Sequence, residues 1–416
     1  MSEQSPKGWN TIRIIAISRA ISLLGDELAI FALLLRVKHN GGGALSIAAI
    51  MAAGQLPLIL LSPWAGTITD RVPVRRLAPI VTAVQAIFAA LLAINSPLYV
   101  SVVLIGLIGA GQAVSGPAWS ATLPEIVGKE AMPRAMSLFQ ALYALAGIGG
   151  PGIAGLMVSK LGFVSPMIAD AATFALITLV PIFLTLPFHA RERGPRVRGE
   201  VWVGLQIVRK EPVIRALTIL GFSLNVTVGM YSVGELFFVL NNLHATTFAY
   251  GLVGSTFAAG ALVAAVFNER REVSQERLPV NIIAGAFLAG LGVLLTGCAW
   301  NWVLLFPVAA MAGIGVSTLN AYFFALMLQR APDVSRGRVT SAVQGVTSAG
   351  QIASFAIGGA VVTVIDPRIA ILLSGIACLV TTGAFAPTIL GTSKRNPHHE
   401  VEFGMPTTDF PVAEPE

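Results

Sequence analysis

The chain has 416 residues, 55% of them hydrophobic and only 12% charged, with a formal net charge of +6 and a mean hydropathy of +0.77. A soluble domain carries about 25% charged residues, so this composition excludes a water-covered globule. The expected solvent is lipid.

A helix crossing a ~30 Å hydrocarbon layer needs roughly 20 apolar residues. Such runs lie near 12–37, 44–69, 77–94, 97–121, 132–160 and 163–188. A second set lies near 213–240, 247–269, 278–299, 300–329, 337–364 and 366–392. The pattern predicts an all-α integral membrane protein with twelve transmembrane helices in two six-helix bundles. The bundles span 1–188 and 213–393, joined by a charged cytoplasmic linker at 189–212 and followed by a polar tail at 394–416, expected to be disordered. The first apolar run is too long for a cleaved signal peptide and is expected to stay as span 1.

Of the 27 Lys and Arg, only Arg36, Lys38, Lys160 and Arg368 fall at the far ends of the spans, and Arg19 falls inside one. This asymmetry follows the positive-inside rule. It predicts a multi-pass protein of the plasma (inner) membrane with both termini cytoplasmic. It also accounts for the basic balance without nucleic-acid binding.

Span 1 contains RAISLLGDELAIFALLL (19–35), an apolar run interrupted by Arg19, Asp26 and Glu27. Lone charges at membrane depth cost about 2.5–3.5 kcal/mol by insertion scales and are kept where they face water or a partner. Arg19, Ser22 and Asp26 share a helical stripe, whereas Glu27 sits ~100° further round, so the two acids cannot face one cavity equally. Arg19 leans toward the N-terminus and away from Asp26, so a direct pair within the helix is not expected. A carboxyl in a low-dielectric site without a close cation is costly to ionise, and can load a proton on one side and release it on the other. Asp26 is the first choice for that role, with Glu27, Glu235 and Arg19 as companions and Asp170 as a weaker candidate. The alternative for each acid is a structural interhelical hydrogen bond.

After span 2 comes GTITDRVPVRR (66–76), where Asp70 and Arg71 sit as the helix leaves the membrane. Gly66, Asp70, Arg71 and Arg75 match the Gly-x-x-x-Asp-Arg-x-Gly-Arg-Arg signature of the major facilitator superfamily, with Pro73 and Val74 departing from it. The chain resembles that superfamily. The resemblance implies a gating loop that holds the cytoplasmic side shut.

Span 5 contains GIGGPGIAG (147–155), which resembles the Gly-Pro-x-x-Gly-Gly element of the superfamily's antiporters through Gly147, Gly150, Pro151 and Gly155. The span 4 exit SGPAWSATLPEIVGKEAMPRAMSL (115–138) and the span 1 stretch RAISLLGDEL (19–28) together are similar to the macrolide-efflux and enterobactin-exporter branch. That branch implies proton-driven export of small amphipathic molecules, either a drug or the host's own metabolite. The middle of span 4 lacks the Arg that many drug:proton antiporters carry there.

The halves also repeat each other. Glu27-Leu28 and Glu235-Leu236 lie 208 residues apart, as do Pro124 and Pro332. After a short contraction, Gly155 pairs with Gly359. Such repeats typify transporters that bind substrate near the midplane, between the halves.

Polar residues at membrane depth, Gln55, Gln112, Asn225, Tyr231 and Asn320 among them, are candidates for lining that cavity; each is equally a candidate for a packing hydrogen bond. No nucleotide-binding loop, HExxH, metal-ligand spacing or nucleophile elbow occurs, so no catalytic residue, metal or cofactor is expected. The expected partners are a small-molecule substrate, protons and the bilayer, with the chain a monomer. A solute importer of the same fold and a non-transporting sensor are the competing readings.

Overall fold

The computed structural model describes residues 8–61, 68, 72–94, 97–184, 200–270, 275–331 and 335–391. Among these the secondary structure is helical, with no strand. This is what lipid demands, since a spanning segment must satisfy its own backbone. The first half contains α1 (Trp9–His39), α2 (Ala44–Leu60), α3 (Val74–Leu92), α4 (Leu98–Leu161) and α5 (Val164–Phe183). A short α6 (Glu200–Lys210) precedes α7 (Pro212–Phe237), α8 (Thr247–Arg270), α9 (Leu278–Cys298), α10 (Leu305–Arg330), α11 (Arg336–Val364) and α12 (Pro367–Leu390).

The long α4 holds two spans, Leu98–Gly116 and Arg134–Leu161. Between them Gly128 has φ 78° and ψ 164°, a backbone conformation in which glycine has no Cβ to clash. Ten helical stretches among the described residues are long and apolar enough to cross a membrane. Among the described residues, two of the twelve expected spans, α1 and α2, fall outside that count. The latter has only 17 residues. The former has 31, but Arg13, Arg19, Asp26, Glu27, Arg36 and Lys38 interrupt its apolar run. Ile80, Ile87, Phe267 and Val380 are each more than half exposed, forming the apolar exterior that lipid would cover.

Within the first half, α1 packs on α4 and α5, α3 on the same two helices, and α2 on α4. Within the second, α7 packs on α11 and α12, α8 on α10, and α9 on α10 and α12. Two main contacts join the halves, α4 with α8 and α2 with α11. The repeat glycines sit at those two places. A Cβ on Gly155 would lie 2.7 Å from the Thr247 carbonyl oxygen at the start of α8, and one on Gly359 would lie 2.6 Å from Ala48 Cβ near the start of α2. Equivalent residues thus close opposite sides of a single seam.

That seam lies at the face opposite the N-terminus, where α1 ends and α2 begins. One apolar core there mixes Leu33, Ile47 and Ile50 with Val233, Phe238 and Ile371 of the second half. A second core, with Ile214, Leu217, Phe323 and Val343, belongs to the second half alone and takes in Ile207 and Val208 of α6. The halves therefore share a core at one face and keep separate interiors toward the other.

Two of the far-end basic residues hold helix ends. Arg36 is buried, and its Nη1 donates to the Leu92 carbonyl at the end of α3 at 2.7 Å. Arg368 Nη2 donates to Ala299 O, just past α9, at 2.8 Å. Each cation meets the orphan carbonyls and negative dipole end of a helix. These two departures from the charge asymmetry are therefore structural caps. Arg36→Met should cost about 1–3 kcal/mol, the range for leaving a buried polar group unpaired, and lower the thermal midpoint in detergent. Lys160→Met, at an exposed position, should change it little.

Candidate functional site: an acidic cavity beside the first helix

The mid-region of α1 opens onto a cavity of about 540 Å³. Its polar lining includes Arg19, Asp26, Glu27, Gln55, Gln112 and Asp170, set among apolar side chains such as Met51, Leu58 and Ile105. Phe355 of α11 closes one side. The cavity was expected between the halves; its lining instead comes almost wholly from the first half, with Phe355 the contribution of the second.

Asp26 Oδ2 accepts from Gln112 Nε2 at 2.8 Å, a bond from α1 to the first arm of α4. Arg19 lines the same cavity but makes no direct bond to Asp26 among the described residues. Its Nε reaches instead toward the Tyr143 hydroxyl on the second arm, at a long 3.4 Å. This agrees with the opposite lean of the two side chains along the helix. Glu27 also lines the cavity, although it sits ~100° further round α1 than Asp26. The reason is Gly150, where a Cβ would lie 2.6 Å from Glu27 Cβ, so the missing side chain leaves Glu27 room against α4.

The second-half candidates lie elsewhere. Asn225 Nδ2 donates to the Gly221 carbonyl in its own helix, at 2.8 Å. The Tyr231 hydroxyl donates to Glu235 Oε1 at 2.6 Å. Asn320 is exposed. None of the three lines this cavity. Gln85 is buried and donates to Ile108 O at 2.9 Å, an ordinary packing bond.

Of the span 5 element, Gly147 faces open space. Pro151 lies in the seam opposite two glycines of α8: a Cβ on Gly251 would strike its carbonyl oxygen, and one on Gly254 would come within 3.0 Å of its Cβ. The Gly152 N–H donates to Ser255 Oγ at 3.0 Å. One turn beyond Glu27, Phe31 stacks on Tyr250 of α8, with ring centroids 4.9 Å apart. Gly251 and Gly254, spaced three apart, were a readable sign of close helix approach; Tyr143 and the Phe31–Tyr250 stack carried no such signal. Of the expected gating loop, Gly66, Asp70 and Arg71 lie outside the described residues, and Arg75 is an exposed residue in the first turn of α3.

The sequence pattern of the Major Facilitator Superfamily matches residues 15–271 and 238–411. The chain belongs to the major facilitator superfamily. It is thus a multi-pass membrane transporter rather than an enzyme. Among relatives, a multidrug efflux pump named Tap from Mycolicibacterium fortuitum is 27% identical over 341 residues, covering 76% of this chain and 80% of the relative. Macrolide efflux protein A from Streptococcus pyogenes is 22% identical over 342 residues, covering 79% and 84%. Among solved superfamily folds, a bacterial homologue of the iron transporter ferroportin in an inward-facing state aligns with TM-score 0.70 at 16% identity, covering 93% of this chain and 99% of that one. A POT family transporter aligns with TM-score 0.75 at 14% identity, covering 93% and 98%. At those identities the structural likeness speaks for the fold alone.

Gly251→Leu should force α8 away from Pro151 and open the seam. A cysteine introduced at Ile30, which lines the cavity, should then be alkylated by a membrane-impermeant reagent at least several-fold faster from the face where residues 40–43 lie. Equal labelling rates with and without Gly251→Leu would mean that these glycines do not seal that face.

Proposed function

We propose that this transporter carries out proton-coupled efflux of small amphipathic molecules across the plasma (inner) membrane by alternating access. The observation that carries the reading is the α1 cavity, where Asp26 sits at membrane depth beside apolar walls with, among the described residues, one neutral donor, Gln112, and no direct cation. Such a carboxyl is held in place, yet free to exchange a proton with whichever face the cavity meets. The relatives named as multidrug and macrolide efflux proteins support the export direction.

In this reading both termini are cytoplasmic, in line with the distribution of Lys and Arg. The seam between α4 and α8 and between α2 and α11 is then the outer gate, and the molecule is closed outward. The first bundle (1–188) and the second (213–393) rock about the cavity, and the chain joins them through 189–212. Gly66, Asp70, Arg71 and Arg75 serve the inner gate. Glu27 borders the cavity beside Asp26, and Glu235 with Tyr231 stands behind the outer seam as a second carboxyl. A single chain suffices, since both halves of the transport path come from one polypeptide. A proton driven by 100 mV releases about 2.3 kcal/mol, roughly fifty-fold accumulation of a neutral substrate at one proton each, whereas a monovalent cation exchanged for one proton is driven by the pH difference alone.

The test uses everted vesicles from an efflux-deficient host, energised to an acidic interior and challenged with a panel of amphipathic drugs. Wild-type protein should partly dissipate the pH gradient when its drug is added, and Asp26→Asn should lose at least nine-tenths of that response. A wild-type response retained in full by Asp26→Asn would take the coupling role away from this residue. Substrate-driven acidification in the reverse sense would favour the importer.

A further inference from the structure

The acid least expected to matter is the one most enclosed. Asp170 on α5 is 1% exposed, yet it lines the same cavity as Asp26. Thr173 gives its hydroxyl hydrogen to the Asp170 backbone carbonyl at 2.8 Å, leaving the Asp170 carboxyl at 3.5 Å. A hydroxyl has one hydrogen to give, so the Asp170 carboxyl is left essentially without a donor among the described residues.

Gly25 fixes where that carboxyl lies. A Cβ on Gly25 would be 2.7 Å from Asp170 Oδ1 and 3.1 Å from Asp170 Cα. Glycine at this position lets the acid rest against the α1 backbone one residue before Asp26. The helices around Asp170 offer little else. From α1 come Arg19, Asp26 and Glu27; α3 offers Thr82, whose hydroxyl is paired with Thr178 at 2.8 Å. On α4, Gln112 is committed to Asp26 and Tyr143 receives Arg19. Arg19 is the cation of the cavity lining among the described residues.

We propose that Asp26 and Asp170 form a carboxyl pair across the α1–α5 contact that shares one proton. Two carboxylates in one apolar enclosure cannot both ionise without a cation between them. The proton therefore resides on one aspartate or the other. When a cationic group enters the cavity, the pair releases that proton to water at the open end and the cation balances the second negative charge. When the opposite face opens, the cation leaves and a proton returns to the pair. Charge is conserved at each step, and the substrates favoured are amphipathic cations. This last consequence rests on the efflux reading; the pair itself does not.

The pair is tested on the purified full-length protein in lipid, without any transport substrate, by pH-difference infrared spectroscopy of the protonated-carboxyl C=O band. Wild type, Asp26→Asn, Asp170→Asn and Asp170→Glu are compared. The wild-type signal lost on substituting either aspartate should rise in two steps. Each Asn variant should keep one step, with its midpoint displaced by about one pH unit or more from both wild-type values, as coupled sites require. Asp170→Glu should restore two steps, which separates proton chemistry from loss of fold. The pair is overturned if Asp170→Asn leaves the Asp26 step at its wild-type midpoint, or if it leaves the whole band unchanged. Coupled steps in a protein that exports nothing in vesicles would sink the efflux reading and leave the pair standing.

Discussion

A polar group at membrane depth must find a donor, a cation, water or a proton, because lipid supplies none of these. That one demand sorts this protein's side chains. Arg36 and Arg368 end on helix carbonyls, Gln85 on Ile108 O, and Thr82 on Thr178. Each finds a partner and each ties two elements together. The acids of the cavity are different. Asp26 has one neutral donor, Asp170 a hydroxyl already spent on backbone, and Glu27 no side-chain hydrogen bond among the described residues. Evolution of a purely structural bundle would have little use for three carboxyls left in this condition beside one cavity.

The same constraint explains why the seam is made of glycine. Helices that part and re-form, as the proposed cycle asks, are best joined by few buried polar bonds, since each would be left unpaired at opening; between α4 and α8 the bond from Gly152 N–H to Ser255 Oγ is one such tie. Close backbone approach serves instead, since packing contacts are lost without stranding a donor. Gly155 against Thr247, Gly359 against Ala44 and Ala48, and Gly251 against Pro151 are contacts of this kind. The repeat makes the two halves of the seam equivalent at Gly155 and Gly359. It is broken where Pro151 on α4 corresponds to Phe355 on α11, and that Phe turns to the cavity instead. One arm of the pseudo-symmetric pair therefore packs in the seam while the other also lines the cavity.

How much of this was legible in the sequence depended on range. Apolar runs report local solvent, so the helices of both halves were read close to their bounds, and the repeat glycines landed in matching contacts. The boundaries blurred where one helix served two spans, as at Gly128 in α4. The Asp26–Gln112 bond joins residues far apart in sequence, and polarity at depth was enough to nominate both ends without linking them. The same cue misplaced Asn225 and Tyr231, because a polar side chain can be satisfied within its own helix, by Gly221 O or by Glu235 one turn away. Glu27 shows a different limit of local geometry. Helical angle separates it from Asp26, but the cavity wraps round α1 because Gly150 on α4 clears the space.

In the proposed cycle, protonation of Asp26 accompanies the change from a molecule closed at the seam to one open there. Pulsed electron–electron distance measurements on spin labels test it directly. One pair would sit at Asn40 and Asn241 on the seam face, the other at Asn10 and Arg277 on the opposite face, all exposed positions. Between acidic and alkaline pH the two distances should change in opposite senses, one lengthening as the other shortens, and Asp26→Asn should hold both near one extreme. Distances that ignore pH, or that respond to pH identically in Asp26→Asn, would contradict the account.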